Sequence, residues 1–269
     1  MSLAKEVVPV RLRRAIRSAH RELASKTLFE GVYASFDEVP SQGPAFANEQ
    51  WVLDSERSIR AMLDKVKLDP WGSNWRYEHH ERLSFLIACL AKKPVRIVDF
   101  GGGFGPDFVH LLHSLSDPAR VEYTILETED TVRKASAFWS KLEGPAPKYA
   151  QDWAQLQPDI VFSNAAIQYV SDWKSVANSM AAVGPEFILF ARLPLGHFES
   201  YVGGQKNHPP FTVPVWFFGL DEFKSVWRDL GYEITWMGIH DRIYDQSNYP
   251  AELRCLRRSA VLLRRLGAQ

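Results

Sequence analysis

A short β-branched run, Val95-Arg96-Ile97-Val98-Asp99-Phe100, ends abruptly in Gly101-Gly102-Gly103-Phe104-Gly105. Glycines at that density cannot continue a strand, and a helical pattern, Phe108 to Leu115, follows at once. Strand, glycine turn and helix open a βαβ unit, and the alternation continues downstream. Strands are predicted at Val121–Leu126, Pro147–Ala150, Asp159–Phe162 and Phe187–Ala191. Helices are predicted at Asp130–Leu142, Trp173–Val183 and Asp221–Leu230. This rhythm predicts an α/β, Rossmann-like, mostly parallel sheet covered on both faces. Two late strands, Tyr232–Met237 and Ser259–Leu263, have no helix between them, so the sheet is expected to close with an antiparallel C-terminal edge hairpin.

Upstream the texture is different. Val7 to Leu28 reads as a basic amphipathic helix, with Val10, Ile16 and Leu23 set among arginines. A loop follows, broken by Gly31, Pro40, Gly43 and Pro44, then helical patterns over Ser55–Val66 and Tyr77–Ala91. Residues 1–92 are therefore expected to form a helical extension or cap, and residues 93–269 the main domain. With 269 residues and 46% hydrophobic content the chain can bury a large core without crosslinks. Cys89 and Cys255 have no metal-site spacing and are expected to be buried thiols; no metal is expected. The formal net charge is zero, with basic ends and an acidic middle, which gives no overall pull toward nucleic acid. No apolar run approaches the ~20 residues of a membrane helix. The opening residues carry no signal-peptide pattern, and a cytoplasmic location is expected.

The glycine turn lies at the carboxyl end of its strand, where open α/β sheets bind ligands. Backbone without Cβ lets a ligand approach closely. The dinucleotide fingerprint GxGxxG fails, because the third position counted from Gly101 is Pro106. A phosphate-binding GxxxxGK[ST] loop fails as well. What stands is Asp99-x-Gly101-x-Gly103-x-Gly105, with Gly102 between. Glu127 ends the second strand, 24 residues beyond Gly103, and a carboxylate there can accept both hydroxyls of a ribose; Thr128 follows it.

This arrangement resembles motif I of the class I S-adenosylmethionine (SAM) methyltransferases. The resemblance implies that the glycine turn approaches the amino-acid and ribose parts of SAM, and that Asp99 helps hold the loop and the SAM ammonium. Asp152 matches the position of an acid beside the adenine amino group, and Trp153 either packs on the adenine or fills the core. Asp159-Ile160-Val161-Phe162-Ser163-Asn164 is similar to motif IV, where a strand ends beside the methyl group; Ile167, Gln168 and Tyr169 border the sulfonium. Phe29-Glu30-Gly31-Val32-Tyr33-Ala34-Ser35-Phe36-Asp37-Glu38 resembles the N-terminal signature of a bacterial family of methyltransferase-like proteins often encoded among surface-polysaccharide genes. Gln205-Lys206-Asn207, the apolar Phe211–Phe218 and Phe223–Trp236 are similar to its C-terminal half. Lys206 departs from that family's pattern, in which Asn follows Gln directly.

Methyl transfer from a sulfonium is an in-line displacement that needs alignment and exclusion of water, and a base only where the acceptor must lose a proton. The segment from Arg192 to Gly219 is too long for a βα connection of ~2–6 residues. Its part at about 193–219 reads as a lid-like insertion or substrate wall. Within reach of it, His208 is the first base candidate, Tyr169 the second, and Arg192 a partner for an acidic acceptor. His79 and His80 are adjacent on a helix and do not form a metal pair. The expected function is methyl transfer from SAM, giving S-adenosylhomocysteine (SAH), to a small-molecule or saccharide acceptor. The rivals are a catalytically silent SAM-fold assembly module and an oxidoreductase on a Rossmann fold. A homodimer contact is the alternative use of Phe211–Phe218.

Overall fold

The computed structural model describes residues 28–40, 42, 43, 46, 48–68, 81–208 and 211–267. The expected basic helix at Val7–Leu28, the loop Asp69–Trp75 and the pair His79 and His80 lie outside the described residues, apart from Leu28. In chain order the elements are β1 (Phe29–Tyr33), α1 (Glu49–Leu68), α2 (Glu81–Cys89), β2 (Val95–Phe100), α3 (Pro106–Ser114), β3 (Val121–Leu126), α4 (Glu129–Trp139), β4 (Lys148–Ala150), β5 (Ile160–Asn164) and α5 (Trp173–Ala182). They continue as β6 (Phe187–Leu193), β7 (Leu195–Gly196), β8 (Tyr201–His208), β9 (Phe211–Gly219), α6 (Leu220–Asp229), β10 (Tyr232–Ile243) and β11 (Arg257–Arg265).

The strands form two sheets. The larger has seven, in the order β10-β11-β6-β5-β2-β3-β4. Strands β2 to β6 pair in parallel, whereas β11 runs antiparallel to both β6 and β10. One reversed strand set between the fifth and sixth parallel ones is the sheet of a class I, Rossmann-like methyltransferase fold, with the helices α1 and α2 preceding it. Of the two late strands, β10 is the edge and β11 an interior strand. They are joined by residues 244–256 rather than by a tight turn.

Burial on both faces explains the unbroken apolar runs. Ile97, Ile125, Ile160 and Phe162 pack with Ile59, Ile87, Phe108 and Phe138 from α1–α4 on one side. Val161, Ile188 and Phe190 pack with Trp173, Met180, Phe223 and Trp227 from α5 and α6 on the other. Pro106 begins α3, where its missing N–H costs nothing. Asp172 caps α5 by accepting from the Ser175 N–H at 3.0 Å. Among the described residues no helix is long and apolar enough to cross a membrane. Cys255 is buried as expected, while Cys89 at the end of α2 is exposed.

The second sheet departs most from the sequence expectation. The segment read as a loop insertion forms β7, β8 and β9, which join β1 in the order β1-β8-β9-β7. The expected N-terminal loop thus contributes a strand, with Phe29 opposite Gln205 and Glu30 opposite Gly204. Lys206 also forms an ion pair with Glu30 across this seam. The sheet has its own aromatic core: Tyr201 stacks on Phe217 at 4.7 Å, and Phe29 meets Phe217 edge-on at 5.4 Å. Fixed strand pairing and a buried core suit a wall better than a flap.

Candidate functional site

The strand order reverses between β2 and β5, so their carboxyl ends diverge and open a crevice. The glycine turn leaves β2 at this point. Gly101, Gly103 and Gly105 have φ of +71°, +56° and +89°, a left-handed backbone that side chains disfavour. Gly102 is required for a different reason: a Cβ there would lie 2.2 Å from Asp99 Oδ2. The turn is tied to the neighbouring strand, because the Gly101 N–H donates to the Leu126 carbonyl at 3.0 Å.

Glu127 holds the next link. Its Oε1 accepts from the Gly103 N–H and its Oε2 from the Thr128 N–H, each at 3.0 Å. Each oxygen keeps a lone pair for a further donor. Burial raises the Glu127 carboxyl above its ordinary value, against these two backbone bonds. The Thr128 hydroxyl is engaged with that of Thr131 at 3.0 Å, at the start of α4.

Asp99 is fully buried beneath the turn. Its Oδ2 accepts from the Tyr123 hydroxyl at 2.8 Å, and Oδ1 has no partner among the described residues. Burial first, then the charge of Asp107, push its pKa well above the ordinary carboxylate value; the Tyr123 hydrogen bond opposes them and Glu127 adds to the rise. The sign for stability follows from linkage. A carboxyl raised on folding contributes fully below its unfolded pKa, near 3.9, and that contribution is lost as pH rises toward the folded value. Asp99→Asn removes the titration and keeps an acceptor for Tyr123. Its stability relative to the parent is expected to grow as pH rises from about 4. Denaturant midpoints measured across pH check this, and a constant difference would show that Asp99 is ionised when folded.

A polar chain runs from the glycine turn to the tip of β6. Asn164, at the end of β5, donates through Nδ2 to both oxygens of Asp107, at 2.9 and 3.1 Å. Its Oδ1 accepts from Arg192 Nε at 2.6 Å. The Arg192 N–H donates to His240 Nε2 at 3.2 Å. Ala165 and Arg192 each have φ of +58°. Non-glycine residues held there cost about 1–3 kcal/mol each and gather at functional sites.

The structure thus brings Asp99, Gly101, Gly102, Gly103, Gly105, Glu127, Thr128, Asn164 and Arg192 to one end of the sheet. Asp152 is exposed, with Oδ1 accepting from the Ala154 N–H at 2.8 Å. Trp153 is half-buried and stacks on Phe100, with centroids 6.0 Å apart and planes 12° apart. Tyr169 donates its hydroxyl to Gln205 Oε1 at 2.8 Å, which links the crevice to the small sheet. Burial raises the Tyr169 pKa, with Arg258 foremost among the groups that moderate the rise. The second base candidate thus stands as a hydrogen-bond donor to Gln205, with a phenol harder to ionise than usual. His208 ends β8; its side chain lies outside what the structure describes.

Several residues here were not legible in the sequence. Trp51 of α1 lies over the turn, 3.6 Å from where a Gly103 Cβ would sit. Phe46 meets Tyr169 at 5.0 Å. Asp107 carried a signal in retrospect, being an acid in the first helical turn after the glycines. His240 carried none.

No family model matches the sequence, and no curated protein matches it. Among solved structures, similarity extends to a Haloferax volcanii protein in complex with the Trm112 methyltransferase activator, at 14% identity, covering 81% of this chain and 97% of that one, TM-score 0.49. It extends to the 1,6-didemethyltoxoflavin-N1-methyltransferase of Burkholderia thailandensis with SAH bound, at 12% identity, covering 85% and 93%, TM-score 0.46. The magnesium protoporphyrin IX methyltransferase of Synechocystis, also with SAH bound, is similar at 15% identity, covering 79% and 100%, TM-score 0.44. At these values the likeness concerns the path of the chain and says nothing of substrate.

Proposed function

We propose that the protein binds SAM at the glycine turn and transfers its methyl group to a small-molecule or carbohydrate-linked acceptor. One observation carries the choice of cofactor. Three carboxyl groups surround the turn: Glu127 accepts from the Gly103 N–H, Asp99 lies directly beneath Gly102, and Asp107 stands in the first turn of α3. SAM brings an ammonium and a sulfonium, which an acidic cradle attracts. A dinucleotide brings a pyrophosphate, which the same cradle repels. Glu127, with spare lone pairs, would accept the ribose hydroxyls. Asp152 and Trp153 would border the adenine, and Asn164 would stand near the methyl group. Calorimetry is expected to show SAH binding and no NAD binding; the reverse result would end this reading.

Residues 1–92 would cap the cofactor, and the sheet over about 193–219 would wall the acceptor. Support for the wall comes from Phe46 and Gln205, which reach Tyr169 from the N-terminal segment and from β8. The two stretches that resemble the surface-polysaccharide family pair directly through Phe29 and Gln205, which favours a shared role at the acceptor. His208 is the base in this reading. His208→Ala is then expected to lower turnover at least 100-fold with SAH affinity little changed. Full turnover in that variant would remove the base.

A further inference from the structure

Arg258 stands one residue before Ser259, whose ladder partners are Leu193 on β6 and Ile239 on β10. It is only 4% exposed. Its guanidinium carbon lies 4.7 Å from the centre of the Phe29 ring, 4.8 Å from Tyr244 and 5.3 Å from Phe217. Rings near a guanidinium offset part of the cost of burying its charge. They do not replace a hydrogen-bond acceptor at its N–H edge. Among the described residues no carboxylate lies within 4.0 Å of Arg258, and Nη1 has no hydrogen-bond partner. The hydroxyl of Tyr249, buried in the same aromatic cluster, also has none among the described residues. A buried cation without a counter-charge is costly, and here two donors buried against the same Phe217 ring lack an acceptor among the described residues.

Arg192 is on the adjoining strand. The ladder between β6 and β11 slips there: Leu193 faces Ser259 and Phe190 faces Val261, so β6 has one extra residue. Arg192 occupies this bulge with its left-handed φ, and bulges beside active sites redirect side chains. Its Nε is fixed by Asn164, and it too has no carboxylate within 4.0 Å among the described residues. Tyr169 packs against the aromatic cluster on which the Arg258 guanidinium lies, and Arg192 is tied to Asn164 at the end of β5, the strand that leads to Tyr169. Both charges act on the Tyr169 hydroxyl, so two cations from neighbouring strands face the residue that joins the crevice to the wall.

We propose that the methyl acceptor carries an oxyanion, a carboxylate or a phosphate, and that Arg192 and Arg258 hold it beside Tyr169. This rests on the methyltransferase reading. A neutral saccharide would leave both guanidinium groups without a counter-charge, whereas a planar or tetrahedral oxyanion accepts from them and from the orphaned donors.

The test uses the full chain and three probes of similar shape: benzoate, phenyl phosphate and neutral benzamide, titrated by calorimetry with and without saturating SAH. At least one anion is expected to bind tenfold or more tightly than benzamide, and its identity separates carboxylate from phosphate. Arg192→Gln and Arg258→Gln are each expected to weaken that anion at least tenfold, with SAH affinity unchanged in Arg258→Gln. Equal binding of anions and benzamide to the parent protein overturns the proposal. So does anion binding that survives in the folded Arg192→Gln variant, which decides the matter even if Arg258→Gln does not fold. The SAH titration is read separately. Loss of SAH binding with retained anion selectivity removes the cofactor reading and leaves the anion site, whereas the opposite pattern removes the anion site alone.

Discussion

Glu127→Ala is expected to weaken SAH by about 1.5–3 kcal/mol, the range for hydrogen bonds to a charged group, which corresponds to roughly a tenfold to 150-fold rise in Kd. The structure gives the loss two sources. The carboxylate would accept the ribose hydroxyls, and it already accepts the N–H groups of Gly103 and Thr128. Without it the Gly103 N–H loses its acceptor and the turn loses its tie to the tip of β3. Glu127→Gln separates the two. Its amide oxygen can still accept one backbone N–H, but its NH2 end cannot accept, so it should restore the turn more than the affinity. The pH dependence has a definite sign. Burial raises this carboxyl, and protonation turns an acceptor into a donor, so SAH affinity should fall as pH drops through the raised value. Folding of the unliganded protein runs the other way: stability is lost as pH climbs from the ordinary carboxylate value through the raised one. A folded Glu127→Ala variant with unchanged SAH Kd would remove Glu127 from the site.

Gly102→Ala is expected to destabilise the fold by about 1–3 kcal/mol, the usual cost of forced overpacking, and to abolish SAH binding with it. The new Cβ would meet Asp99 Oδ2 at 2.2 Å and Asp99 Cγ at 2.6 Å. Asp99 cannot give way easily, because it is fully buried and bonded to Tyr123. Gly102 has no left-handed φ, so the entire penalty is steric and should be relieved when Asp99 is shortened. In a double-mutant cycle, Gly102→Ala combined with Asp99→Ala should cost less than the two single changes added together. Gly101→Ala is the contrasting case. Its φ of +71° persists whatever is done to Ala166, the residue its Cβ would strike at 2.3 Å. Shortening Ala166 to glycine should therefore recover only part of the loss. Denaturant unfolding of all these variants gives the comparison, and strict additivity between Gly102→Ala and Asp99→Ala would refute the steric account.

The sequence by itself determined the large sheet and the glycine-turn end of the candidate site. Strands β2, β5 and β6 in the middle of the sheet are largely buried on both faces, so they are written as apolar runs that local reading detects. The glycine turn and Glu127 are separated by 24 residues within one βαβ unit, a distance over which strand, helix and strand lengths fix the geometry. Only the tertiary structure decided the small sheet beside it. Strand β1 pairs with β8 through Phe29 and Gln205, residues far apart in the chain, and no local pattern announces such a partner. The segment 193–219 could be read only as a lid or a wall because its length was visible and its pairing was not. Arg192 carried a charge in the sequence but not its bulge, which arises from the slipped register against β11. Trp51 lies far along the chain from His240 and Arg258, which stand on the paired strands β10 and β11. Their roles depend on which neighbours folding brings to them, and for Arg258 on a buried aromatic surround that lacks any carboxylate among the described residues. Periodicity encodes how an element meets the core; it does not encode which far element it meets, because that choice is made by burial and charge summed over the whole chain.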